Sequence, residues 1–189
     1  MTSFTVIYDA CVLYPAPLRD FLMRLALTDL YRAKWTDAIH DEWTRNVLAD
    51  RQDIRPEQLQ HTRQLMDSSV RDALVTGYEC LIPTLSLPDQ DDRHVLAAAI
   101  WVQASHIVTF NLKDFPKEEL AKYAMEAVHP DDFIADLYDI DAEKVLQTAA
   151  THRRSLKKPE KTVEEYLDTL LKQGLPQTVS LLRGMAYAI

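Results

Sequence analysis

Two short runs, Phe4–Tyr8 and residues 107–110, are apolar or β-branched at nearly every position, and each leads directly into polar chemistry: Asp9 after the first, Asn111 and Asp114 after the second. A strand that is apolar on both faces is buried on both, which is the environment of a parallel sheet flanked by helices. The stretches between the runs fit that reading. Beyond the prolines of Cys11-Val12-Leu13-Tyr14-Pro15-Ala16-Pro17, which exclude regular helix around them, Leu18, Phe21, Leu22, Leu25 and Leu30 recur at helical intervals. Asp37 reads as the N-cap of a helix to about Leu48, and Pro56 opens another that runs to about Leu74 and is closed by Gly77. Residues 33–36, 79–83 and 127–128 are further strand candidates, the second leading into an acidic stretch and a helix to about Ala104. A short helix is expected over 116–123. Strands alternating with helices predict an α/β fold with a mostly parallel central sheet.

The character changes beyond His129-Pro130. Residues 131–138, 141–152, 162–172 and 176–187 all read as helices with no strand between them, Asp131 and Thr162 being natural caps and Thr162-Val163-Glu164-Glu165 a capping box. Gly174-Leu175-Pro176 is a stop and restart. The expected organisation is a first domain over 1–130 and a helical C-terminal extension over 131–189.

Composition excludes several function classes. Only three glycines are present, Gly77, Gly174 and Gly184, and none stands in a phosphate-cradling loop, so P-loop and dinucleotide folds are set aside. Cys11 and Cys80 have no metal-ligand or disulfide spacing and read as buried apolar residues; Trp35, Trp43 and Trp101 are assigned to the core. His94, His106 and His129 also lack ligand spacing and read as surface or partly buried histidines. No run of about 18 apolar residues exists to span a membrane, and the N-terminus lacks an export signal, so the expectation is a cytoplasmic protein. A net charge of −8 argues against a surface that grips nucleic acid as a whole. Against that background Arg153, Arg154, Lys157, Lys158 and Lys161 form a basic run, either a solvated helix face or a local RNA contact.

The acids carry the chemistry. In Pro88-Asp89-Gln90-Asp91-Asp92-Arg93-His94, three carboxylates precede an apolar helix pattern and cannot all be caps, so their repulsion calls for a cation or a helix N-terminus. Ligands of parallel α/β sheets collect beyond the carboxyl ends of strands, where Asp9 and Asp114 fall, and Glu42 can point at the same place from its helix. Each has a plainer role available: Asp9 as the cap of the turn after the first strand, Asp89 as a helix cap, Asp91 and Asp92 serving the helix dipole, Glu42 as a solvated helix residue, Asp114 as a cap. Together they suit Mg²⁺ or Mn²⁺, hard ions that favour carboxylate oxygens. Such an ion supports phosphodiester hydrolysis by activating water. A metal-dependent phosphatase or phosphotransferase is the rival enzyme, although Asp9-Ala10-Cys11 lacks the Asp-x-Asp it would want. A catalytically silent binding module is the rival from another class.

The order of Val6-Ile7-Tyr8-Asp9, then Ile39-His40-Asp41-Glu42-Trp43, then the acidic stretch with Val95-Leu96-Ala97-Ala98-Ala99, then Thr109-Phe110-Asn111-Leu112-Lys113-Asp114-Phe115, resembles the PIN-domain ribonucleases. Within these it is most similar to the VapC-like toxins of bacterial toxin–antitoxin pairs. The match runs over about residues 4 to 130, and the tail resembles a helical extension carried by one branch. What the resemblance implies is a PIN-like three-layer fold and a metal-dependent endoribonuclease, with Asp9, Glu42, Asp92 and Asp114 matching the acidic quartet around Mg²⁺ or Mn²⁺. Many relatives place a single Asp before the acidic helix, so Asp89, Asp91 and Asp92 compete here, with Asp91 a further metal-ligand candidate. Thr109 and Asn111 would orient ligands and water, and Arg153, Arg154, Lys157 and Lys158 would meet the RNA backbone. The expected partners are an RNA, tRNA or another structured RNA among the options, a cognate antitoxin and no membrane, with a homodimer as one option for assembly.

Overall fold

In a computed structural model, which describes residues 4–157 and 159–189, the elements follow in chain order. They are β1 (Phe4–Tyr8), α1 (Ala10–Leu13), α2 (Ala16–Ala26), β2 (Tyr31–Lys34), α3 (Asp37–Asp50), α4 (Pro56–Ser69), α5 (Arg93–Trp101), β3 (His106–Val108), α6 (Lys117–Ala121), β4 (Glu126–Val128), α7 (Pro130–Ile140), α8 (Ala142–Ser155), α9 (Val163–Lys172) and α10 (Pro176–Gly184). By contacts the chain divides into two compact units. One holds the chain up to Tyr14 with Tyr31–His129, the other Pro15–Leu30 with Pro130–Ile189.

The first unit is built on a parallel sheet of order β2-β1-β3-β4 among the described residues, so the α/β class with a parallel sheet holds. Val6, Ile7 and Tyr8 are all fully buried. Since consecutive strand residues point to opposite faces, both faces of β1 are covered, as its unbroken apolar run required. β1 pairs with β2 on one side and β3 on the other, so the strand order reverses at the carboxyl ends of β1 and β3. α5 packs on both of those strands, and its Ala97, Ala98 and Ala99 are fully buried, with small side chains that allow close approach to its neighbours. That packing carries the N-terminus of α5 to the reversal point.

Residues 79–83 are not a strand. Glu79–Thr84 forms a 3-10 helix with no buried residue. Pro83 has no N–H to give a ladder, and a segment with no buried side chain gains nothing from a place in the sheet. The chain pairs earlier instead: α4 ends at Ser69, short of Leu74, and Leu74 bridges Trp35 in parallel, with Trp35 N–H donating to Ala73 at 3.0 Å and Val75 N–H to Trp35 at 2.8 Å. The cap of α3 is Thr36 rather than Asp37, its hydroxyl accepting from Ile39 N–H at 3.1 Å. Gly77, at φ +84°, sits in the connection that follows, where an added Cβ would lie 3.5 Å from the Trp101 ring. Trp101 itself is 51% exposed, so it packs over this turn instead of entering the core.

The second unit is helical. α2 packs on α8 and α9, and α7 packs on α8 and α10. Asp131 does not cap its own helix. Buried within α7, its carboxylate accepts from Gln177 N–H at 2.8 Å and from Thr178 N–H and hydroxyl, both at 2.8 Å, and so satisfies the start of α10. The Thr162–Glu165 capping box forms as expected. Among the described residues no helix is long and apolar enough to cross a membrane.

Candidate active site

Asp9 follows β1 immediately, with its N–H donating to Val108 O at the end of β3 (3.1 Å). It does cap α1, as its Oδ1 accepts from Ala10 N–H at 2.7 Å. The cap does not use up the carboxylate. Oδ2 accepts from the buried Thr109 hydroxyl at 2.7 Å and from the Cys11 thiol at 3.1 Å. Thr109 Oγ1 in turn accepts from Asn111 N–H at 2.9 Å. Asp9 is only 3% exposed, and burial raises its pKa, with the Thr109 and Cys11 donors opposing and the Glu42 charge adding to the rise.

Asp92 is the residue before α5 and already has helical φ and ψ; its carbonyl accepts from Val95 N–H at 3.0 Å, while its side chain makes no capping bond. The carboxylate therefore remains available. Burial, followed by the charges of Asp9, Asp89, Asp114 and Glu42, pushes Asp92 up to about 7. Asp89 does not cap α5 either: its Oδ1 accepts from Asp91 N–H at 2.9 Å in the turn before the helix. Asp91 is exposed and engaged there through its backbone. Asp114 closes the short 3-10 turn Leu112–Asp114 beyond β3, its N–H held by Asn111 O at 3.0 Å. Glu42 comes from α3 and meets His94, whose Nε2 lies 3.4 Å from Glu42 Oε2.

The seat of α3 is specified by buried polar groups. Trp43 Nε1–H can only donate, so His40 Nδ1 (3.0 Å) accepts and His40 Nε2–H donates to Asp67 Oδ1 (3.0 Å), which also accepts from Trp35 Nε1–H (2.7 Å). Burial lowers the His40 pKa, in keeping with a neutral ring of this tautomer. Glu42 lies one residue before Trp43 on the helix these bonds hold.

Asp9, Glu42, Asp92 and Asp114 thus act on one another across the ends of β1 and β3. Their oxygens are the hard donors that suit Mg²⁺ or Mn²⁺, and the rise at Asp92, owed first to burial and then to repulsion, is one that a cation would oppose. Among the described residues no three His, Cys, Asp or Glu side chains stand close enough together to hold an ion as placed, so ligation takes side-chain movement. Cys11 departs from its expected apolar role: it is half-buried and polar in its contacts, with burial and the neighbouring Asp9 charge raising its pKa to about 12 and keeping it a thiol. Cys80 is exposed rather than buried. Of the basic run, Arg153 donates to Lys161 O at 2.9 Å and Arg154 to Ala150 O at 3.1 Å, Lys157 is exposed, and Lys158 lies outside the described residues.

These features define a parallel α/β fold with its acids at the strand-order reversal, and the chain belongs to the PIN-domain family, whose model matches residues 5–113. The model of a VapC50 C-terminal domain matches residues 130–184. A Mycobacterium tuberculosis protein named "Putative ribonuclease VapC50" is 46% identical over 71 residues, which is 38% of this chain and 41% of that protein. The match therefore spans less than half the length of that relative. No solved structure matches the chain.

Proposed function

We propose that this protein is a divalent-metal-dependent endoribonuclease and the toxin of a toxin–antitoxin pair. The observation that carries the reading is the gathering of Asp9, Asp89, Asp114 and Glu42 around the half-buried Asp92, where burial first and these charges second raise its carboxyl to about 7. The family and the name of the VapC50 relative support the RNA substrate and the antitoxin partner.

Asp9, Asp92 and Asp114, with Glu42, would hold Mg²⁺ or Mn²⁺, which when bound supplies an activated water and charge stabilisation for phosphodiester hydrolysis. The chain's own residues prepare for this. Thr109 fixes Asp9 from behind, Asn111 fixes Thr109, and the His40–Asp67–Trp43 bonds hold the helix that presents Glu42. Asp92, unencumbered by capping, is the group that would give up its proton to hold the ion. Among the described residues, Arg154 and Lys157 are the exposed members of the basic run proposed to meet the RNA backbone. RNA as substrate agrees with a cytoplasmic location.

The test incubates purified protein with RNA under Mg²⁺, Mn²⁺ or chelator, beside Asp9→Asn and Asp92→Asn variants. Internal cleavage that needs metal and is lost in both variants is the expected result. Variants that cleave as the parent does would refute the site. Hydrolysis of p-nitrophenyl phosphate without RNA cleavage would turn the reading to a phosphatase, and absence of both activities and of metal binding to a silent module.

A further inference from the structure

We infer that the Cys11 thiol is a positioning residue for Asp9, one that fills the oxygen Oδ2 together with Thr109 and so leaves Oδ1 as the oxygen with a lone pair for a cation. The inference rests on the metal-dependent nuclease reading above. An ionised carboxylate oxygen accepts about two hydrogen bonds. Oδ2 receives two, from Thr109 Oγ1–H at 2.7 Å and from Cys11 Sγ–H at 3.1 Å. Oδ1 receives one, from Ala10 N–H at 2.7 Å.

The thiol is itself held from the other strand. Phe110 N–H donates to Sγ at 3.3 Å, and Thr109 Oγ1 lies 3.4 Å from Sγ. The bonds therefore run in one direction, from the Phe110 and Asn111 amides through Sγ–H and Oγ1–H onto the same carboxylate oxygen. Rotation of the Asp9 carboxylate about its Cβ–Cγ bond breaks both donors together, so the pair fixes which oxygen keeps the open lone pair. Thr109 alone leaves Oδ2 with a free lone pair and the carboxylate with a second way to bind. Cys11 also ties the residues after β1 to those after β3 at the point where Asp9 and Asp114 must cooperate, a task that an apolar side chain of the same bulk cannot perform.

Four full-length proteins test this: the parent, Cys11→Ser, which retains a donor, Cys11→Ala, which removes it, and Cys11→Val, which removes it while filling the space. Free Mn²⁺ is counted by its electron paramagnetic resonance signal, and RNA cleavage is followed at saturating Mn²⁺. Groups that orient a metal ligand from behind are worth about 10-fold or more in affinity or activity. Cys11→Ala and Cys11→Val are expected to bind Mn²⁺ roughly 10-fold more weakly and to lose kcat about 10-fold with KM for RNA little changed, while Cys11→Ser stays within about threefold of the parent on both readouts. Recovery in Cys11→Val but not in Cys11→Ser would mean that Cys11 only fills space, and overturns the assignment. A parent that binds Mn²⁺ and cleaves RNA while Cys11→Ala matches it overturns the assignment alone. A parent that does neither overturns the nuclease reading and the assignment with it.

Discussion

Asp92 concentrates the electrostatic cost of the site in one side chain. Its carboxyl is raised to about 7 by burial and by four neighbouring acids, against an ordinary value of 3.8. The folded state therefore holds the proton more tightly than the unfolded one, and this group's contribution to stability is full below pH 4 and is lost as pH rises through 7. With solvent screening allowed for, the loss is on the order of 1–2 kcal/mol. Asp92→Asn should accordingly raise the metal-free melting temperature at pH 8 by about 3–6 °C, with little change at pH 4, while reducing cleavage at least about 100-fold. Calorimetry in chelator checks the first half; a variant that melts below the parent at pH 8 contradicts it. The places of Asp9 and Asp92 at element boundaries were legible from the sequence because each stands next to an apolar run. The roles of Asp89, Asp91 and Asp92 in the turn before α5 were not, since these turn on whether the helix starts at Arg93 or a residue earlier. Cys11 gave no signal, for a lone thiol has no spacing to read and, Asp9 aside, its partners Thr109 and Phe110 lie about a hundred residues away.

Among the elements, α3 shows how the placing of a site candidate, Glu42, depends on buried groups behind it. Asp67 accepts from His40 and Trp35, and removing it leaves two buried donors without a partner. Asp67→Ala should cost about 2–4 kcal/mol and weaken Mn²⁺ binding through Glu42, measured by denaturant unfolding and by metal titration. Unchanged stability would show that the network does not seat α3. In the helical unit, Asp131 accepts three bonds at the start of α10, so Asp131→Ala should cost a similar 2–4 kcal/mol. The capping box of α9 could be read from four adjacent residues. The service of Asp131 to α10 could not, because the bond spans 46 residues. The segment 79–83 was misread for a different reason: a short apolar run with a proline fits a strand and a 3-10 turn equally until its exposure is known.

For the whole molecule, the division of the chain follows packing and not sequence order. α2 lies early in the chain yet packs its buried Leu18, Phe21, Leu22 and Leu25 against helices that begin beyond residue 141. An amphipathic pattern announces that a helix buries one face and says nothing of what covers it. A truncation ending at residue 129 therefore leaves that face bare and should aggregate; a monodisperse, folded product by size exclusion and circular dichroism would contradict this. The α/β class and the helical tail were readable because strand and helix periods differ. The measurement that tests the central claim most directly is isothermal titration of the full chain with Mn²⁺ at pH 6, 7 and 8 in buffers of different ionisation enthalpy. Binding is expected to tighten with pH, with proton release on binding at pH 6 and 7 that fades by pH 8, and both are expected to be lost in Asp92→Asn. Absence of binding at millimolar Mn²⁺, or binding without proton release that survives in Asp92→Asn, would contradict the claim.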